Sequence, residues 1–205
     1  MKLMILFGSS RRGRKGEVVA NWVRENAGAD ERFKLVDFID LQVLNLPFFD
    51  EPLSPFSMAH KGVGYTHNVG KLWAKRVGNI DGLIIVTPEY NHGYPAVLKN
   101  ALDWVGPEWV DKPVGFASYG GASGGSRVVE QLRTVTIELG LIQVANPIHF
   151  VFFEQEFDEK GQPKRASAND SLKKMFDEVN RLHDIFCLAK EANLSAGQCS
   201  SENQE

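Results

Sequence analysis

Five short apolar runs, separated by longer stretches of helical periodicity, constrain this chain more than any other feature. The runs cover residues 3–7, 33–38, 82–87, 114–118 and 142–150. They read as near-continuous Val, Ile, Leu and Phe, the composition of strands that helices cover on both faces. Helical periodicity falls near 16–27, 66–78, 95–105, 124–139 and 170–190. Pro95 suits a first helical turn, Gly140 a C-terminal stop, and Asn169-Asp170-Ser171 an N-cap cluster. This alternation selects the α/β class and a doubly wound parallel sheet between two helical layers. With 205 residues and 43% hydrophobic content, the chain fits one domain, expected over 1–190. Residues 191–205 are small, polar and aperiodic, so a frayed, disordered tail is expected there. Residues 45–66, with Pro47, Pro52 and Pro55 among Phe48, Phe49, Phe56 and Tyr65, read as a long loop. It is expected to be a partly ordered flap near a cleft or a subunit contact, with a variable surface loop as the alternative.

Ligands of such sheets bind outside the carboxyl ends of the strands. Three of these ends carry polar, amide-rich turns. The first is Gly8-Ser9-Ser10-Arg11-Arg12-Gly13-Arg14-Lys15-Gly16, which joins the first strand to the first helix. A glycine-rich turn opening a helix aims free N–H groups and the positive helix end at an anion, and the hydroxyls and cations add donors. Its spacing is neither that of a P-loop nor that of a dinucleotide-binding glycine motif. The second turn is Thr87-Pro88-Glu89-Tyr90-Asn91-His92-Gly93-Tyr94-Pro95, and the third is Ser118-Tyr119-Gly120-Gly121. Together the three suit a flat, polar-edged cofactor with a phosphate tail. Amides of residues 89–92 would serve one ring edge and Tyr119-Gly120-Gly121 another, with glycine allowing close approach. Glu89 reads equally as a helix N-terminal charge or a ligand contact. His92 reads as a turn residue, not a catalytic one, and no catalytic triad or metal cluster is evident.

A net charge of -3 and a pI near 6.0 argue against nucleic acid as the main partner. The apolar start is too short for a signal peptide and no stretch reaches the length of a membrane span. Cys187 and Cys199 lack metal-ligand spacing and read as free thiols of a cytoplasmic protein.

Loop 8–16, the stretch Pro88-Glu89-Tyr90-Asn91 with Gly93, Pro95 and Leu98-Lys99-Asn100-Ala101-Leu102-Asp103-Trp104, and the Gly120-Gly121 turn together resemble the NAD(P)H-dependent FMN reductase family. That flavodoxin-like group includes quinone, azo-dye and chromate reductases. The resemblance implies a five-stranded sheet of order 2-1-3-4-5, non-covalent FMN, and a homodimer or homotetramer. It places the phosphate-loop role on Ser9, Arg11, Arg14, Lys15, Gly16 and Glu17. Ring contacts fall on Pro88, Glu89, Tyr90, Asn91, Tyr119, Gly120 and Gly121. Family members often carry a serine and an asparagine where this chain has Arg14, Lys15 and Gly16, so the grip here is expected to lean on charge and backbone.

The expected activity is hydride transfer from NAD(P)H through bound FMN to a quinone, a flavin, an azo compound or an oxidised metal ion. Arg11 or Arg12 facing a 2′-phosphate favours NADPH as donor. Helix 95–105, with Leu98, Leu102 and Trp104, reads equally as an interface element or as core. Two rivals stay open: a flavodoxin-like electron carrier and a flavin-binding regulatory protein. The loop arginines and the modest net charge count against the carrier.

Overall fold

In a computed structural model describing residues 1–201, with side chains through residue 192, the first strand shows how the molecule is layered. Strand β1, Lys2–Phe7, sends Leu3, Ile5 and Phe7 into one core and Met4 and Leu6 into the other. Strand β3, Gly82–Pro88, repeats this with Ile84 and Val86 against Leu83 and Ile85. Period-two geometry turns an unbroken apolar run into two buried faces, and each face needs a helical layer. Helix α1, Glu17–Gly28, covers the first face with Val19, Trp22 and Val23. The other face lies under α4 (Asn68–Gly78), α5 (Ala96–Asp103) and α6 (Ser126–Glu138).

Strand β2, Leu35–Asp40, lies at one edge, and β4, Pro113–Gly120, lies beyond β3. The order is β2-β1-β3-β4-β5, every pair parallel, as the resemblance implied. The fifth position is split: β5 (Ile142–Gln143) and β6 (Ile148–Val151) both pair with β4. Pro147 lacks the N–H a strand needs, and the Ala145 N–H turns away to the Glu178 carboxylate at 3.1 Å. The second strand starts two residues later than its apolar run. Phe33 instead closes the preceding turn and meets the Phe176 ring edge-on at 5.0 Å. As an edge strand, β2 accommodates the polar Asp37 and Asp40, which apolarity alone does not mark. Pro95 is the N-cap of α5 and lies just outside the helix, whereas Gly140 follows α6 at φ 76 as a C-terminal stop.

The last helix, α8, runs Ser167–Ser201, so Asn169, Asp170 and Ser171 lie inside its first turns and cap nothing. The backbone expected to fray after 190 is helical through Ser201, and residues 202–205 lie outside the described ones. Cys187 is an exposed free thiol, while the side chain of Cys199 lies outside the described ones.

Segment 45–66 is ordered by named contacts. It follows α2, Leu41–Leu44, and holds α3, Pro55–Lys61, capped by the Ser54 hydroxyl. Asn100 pins its start, accepting from Phe49 N at 2.9 Å and donating to the Pro47 carbonyl at 2.8 Å. Trp104 also donates to Pro47, at 2.7 Å, with Phe49 packed edge-on against its indole. Leu98, Leu102 and Trp104 are fully buried, which makes them core and settles that half of the reading. Glu51 pins the far end. Its buried carboxylate accepts from Thr66 N at 2.9 Å, Thr66 Oγ1 at 2.6 Å and His67 N at 3.0 Å, where α4 begins. Burial pushes this acid up, but the Thr66 and His67 hydrogen bonds outweigh burial and hold it below its ordinary value.

A folded-state pKa that is depressed stabilises the fold above the unfolded value and loses that stabilisation as pH falls through the folded one. Glu51→Gln is therefore expected to lower the unfolding free energy by about 2 kcal/mol at pH 7 in urea titrations. The gap between variant and wild type should close as pH falls through the depressed titration of Glu51, where the wild-type carboxylate itself protonates.

Candidate functional site

Parallel pairing brings the exits of β1, β3 and β4 to one edge, where they enclose a cleft of about 350 Å3. The loop after β1 contributes Ser9, Arg11, Arg14, Lys15 and Gly16. The end of β3 contributes Pro88, Glu89 and Tyr90, and the end of β4 contributes Tyr119, Gly120 and Gly121. Two of the residues singled out from sequence stay outside. Glu17 is exposed and turns back to Arg14 Nε at 3.0 Å, and Asn91 sits at a hairpin tip away from the lining.

Charge in the first loop is distributed differently from its composition. The Arg14 guanidinium lies nearly buried over the Phe7 ring, 4.6 Å from its centroid. It forks onto both carboxylate oxygens of Asp40 at the end of β2 and also donates to the Ser9 carbonyl. Burial alone would raise the Asp40 pKa, but hydrogen bonds from Arg14 and the Gln42 amide bring it below the usual range. Arg14 is thus the internal brace of the loop, and its charge is spent on Asp40 and Glu17. Lys15 bonds Glu154 at 2.8 Å across the cleft. Arg11 and Arg12 are both exposed and without an ion pair among the described residues, and Arg11 is the one that lines the cleft, where it can meet an anion. Gly13, at φ 66, makes the turn, and Gly16 is the N-cap of α1 with no side chain to cap it.

The second turn is tighter than its composition suggested. Tyr90 and Gly93 exchange two backbone hydrogen bonds of 2.9 Å, and Asn91 and His92 both take positive φ, as in a type I′ hairpin. The Glu89 amide donates to the Tyr119 carbonyl at 3.2 Å, so within 89–92 only the amides of Asn91 and His92 stay uncommitted. The Glu89 side chain ties the second turn to the third. It takes Arg127 Nε at 2.6 Å and the Ser123 hydroxyl at 3.1 Å. Burial would push this acid up, yet the Arg127 and Ser123 bonds hold it ionised below its ordinary range. Glu89 lines the cleft and also clamps the second turn to the start of α6.

One wall escaped the sequence reading. Phe152, Phe153, Glu154 and Gln155 line the cleft, at and within α7, Phe153–Glu156. Their signal was position, the carboxyl end of the fifth strand, without glycine or a basic residue to mark it. Phe152 takes φ 45 and ψ 50, a left-handed backbone that costs a phenylalanine roughly 1–2 kcal/mol. Its N–H is held by the Gly121 carbonyl at 3.0 Å, and its ring is about half exposed at the rim. Phe153 packs inward on Tyr119, ring centroids 4.9 Å apart.

A Cβ on Gly16 would lie 2.0 Å from the Tyr119 phenol, which Phe153 wedges from the other side. Gly16→Ala is expected to lose about 2 kcal/mol of stability in urea titrations, although its φ suits alanine. Phe152→Gly is expected to gain about 1 kcal/mol in the same measurement, because glycine accepts the left-handed backbone.

The model of the NADPH-dependent FMN reductase family matches residues 1–155 of this chain, which carry all three turns and the wall formed by residues 152–155. An NAD(P)H-dependent FMN reductase of Schizosaccharomyces pombe is 39% identical over 135 residues, covering 65% of this chain and 64% of that protein. The match therefore spans just under two thirds of that relative. A 2-hydroxy-1,4-benzoquinone reductase of a Burkholderia species is 28% identical over 179 residues, covering 84% of this chain and 85% of that one. Among solved structures, the flavoenzyme NAD(P)H:(acceptor) oxidoreductase from Paracoccus denitrificans superposes with a TM-score of 0.65 at 18% identity. That alignment covers 89% of this chain and 97% of that one, and it speaks for the fold. By the extent of the family match and the cleft it contains, the chain belongs to the NADPH-dependent FMN reductase family.

Proposed function

We propose that this chain binds FMN in the cleft at the carboxyl edge of the sheet and passes hydride from NAD(P)H to a small acceptor. The observation that carries the reading is the convergence of an anion-seeking loop with the turns that end β3 and β4 on one cleft. The donor set fits the group. Arg11 and the uncapped first turn of α1 suit a phosphate, the Ser9–Tyr90 hydroxyl pair at 2.8 Å suits a ribityl chain, and Gly120-Gly121 leave room for a planar ring. A volume of about 350 Å3 lies in the range of small-molecule sites. FMN, when bound, supplies the two-electron chemistry that links the pyridine nucleotide to the acceptor.

The chain's own part is binding and orientation. Arg14 and Asp40 fix the loop that receives the phosphate, and Glu89 with Arg127 fixes the gap between the ring-edge turns. Glu89 is held ionised and Tyr119 is held neutral by burial and by nearby Tyr90, so neither moves a proton at neutral pH. Quinones or free flavins are the proposed acceptors, consistent with what the named relatives act on. NADPH is the proposed donor, with exposed Arg12 as the cation left for a 2′-phosphate once Arg11 serves the FMN phosphate. No helix among the described residues is long and apolar enough to cross a membrane. A cytoplasmic homodimer or homotetramer completes the proposal, with the exposed Val43 and Phe48 as side chains a second copy would cover.

Anaerobic stopped-flow mixing of the FMN-loaded protein with NADPH tests the activity. The visible flavin band should bleach at about 10 per second or faster, within the usual range of enzyme turnover. A band that persists for minutes would leave an electron carrier as the better description.

A further inference from the structure

Among the described residues, Tyr119 Oη is the buried side-chain polar atom with no hydrogen-bond partner. Tyr119 is only 4% exposed, and its ring is fixed between Gly16 and Phe153. The hydroxyl lies where a Gly16 Cβ would be, at the start of α1. A buried O–H donor without an acceptor is disfavoured, and native structures rarely leave one so.

Nearby acceptors within the chain are committed elsewhere. Ser9 Oγ lies close enough to draw on the phenol, but it is bonded to Tyr90 Oη at 2.8 Å and leaves Tyr119 Oη without a hydrogen bond of full geometry. The Ser9 carbonyl, Asp40 and Glu17 serve Arg14, and Glu154 serves Lys15. A ligand oxygen would supply the missing acceptor at a point bordered by Ser9, Arg11 and the uncapped helix end, where an anion is favoured. We propose that the Tyr119 phenol is a phosphate ligand of this cleft, donating its hydrogen bond to a phosphate oxygen of the cofactor seated at the start of α1. The contact is made by the side chain, and it goes beyond the backbone role expected of the turn after β4. Burial first, and then the adjacent Tyr90, keep the phenol protonated far above neutral pH, so it stays a donor to a dianion. In this chain the Tyr119 hydroxyl and Arg11 take the place of the side chains that Arg14 and Lys15 withhold through their internal pairings. The inference rests on the FMN reading.

Titrating apo wild type and Tyr119→Phe with FMN and with riboflavin, followed by flavin fluorescence, tests both ideas separately. Riboflavin lacks only the phosphate. Expected are a loss of about tenfold or more in FMN affinity, as for a charge-assisted hydrogen bond, and unchanged riboflavin affinity. The melting temperature of the apo variant should equal or exceed that of wild type, since an unpartnered buried hydroxyl has been removed. Equal losses for both flavins, or no loss for either, would overturn the phosphate role and leave the FMN site standing. Wild-type protein that binds neither flavin would overturn the FMN reading and the inference with it.

Discussion

Parallel pairing of every strand is the constraint on which the site depends. A parallel neighbour is reached only by carrying the chain back across a face of the sheet, so each strand must begin at one edge and end at the other. All strand exits therefore share an edge. The central strands, buried on both faces, cannot hold polar groups along their length, and the polar residues of the chain's middle collect where the strands stop. Ser9, Glu89 and Tyr119 meet because β1, β3 and β4 are neighbours in the order β2-β1-β3-β4-β5, although more than a hundred residues separate the first from the last.

Within that edge, electrostatics divides the residues into frame and face. Arg14 on Asp40 and Glu89 on Arg127 are pairs with one partner largely buried, and each joins two different loops. Pairs of this kind lose much of their attraction to desolvation, so their contribution is better sought in geometry than in stability. With the frame charges satisfied internally, the charge facing the cleft is left to Arg11 and the end of α1, as suits an anionic guest. Lys15 on Glu154 is an exposed pair and adds little, on the order of 1 kcal/mol or less.

Legibility followed burial. Strands β1, β3 and β4 were readable because two-sided burial leaves an unbroken apolar record, and their exits marked eleven of the fifteen residues that line the cleft. Strand β2 slipped by two residues because an edge strand has a wet side. The run over 142–150 hid a break because apolar composition continues through Pro147 while the hydrogen-bond ladder does not. The roles of Arg14 and Glu89 were out of reach for another reason. Their partners, Asp40 and Arg127, lie 26 and 38 residues away, and nothing local distinguishes a charge bound for a ligand from one bound for a neighbour. The motif 98–104 was recognisable, but its meaning proved largely structural, since Asn100 and Trp104 hold the 46–49 backbone in place.

Strain gathers at the same edge. Of the five residues other than glycine with positive φ among the described ones, Asn91, His92 and Phe152 lie in or beside the cleft turns, while Asn45 and Asp111 lie at a helix end and in a distant turn. Asparagine tolerates this backbone, but a phenylalanine and a histidine do so at a cost. Such conformations persist only where surrounding contacts over-determine them. Here the Gly121 carbonyl holds Phe152 N–H and the Gln131 amide holds the His92 carbonyl, so the third turn and α6 enforce the shape of the other two walls. Glycine at position 152 or 92 would relieve that cost without disturbing the core. Phe152 carries its strain at the rim of the cleft, and Asn91 and His92 carry theirs in the hairpin beside it, where a ligand would benefit from walls that cannot relax.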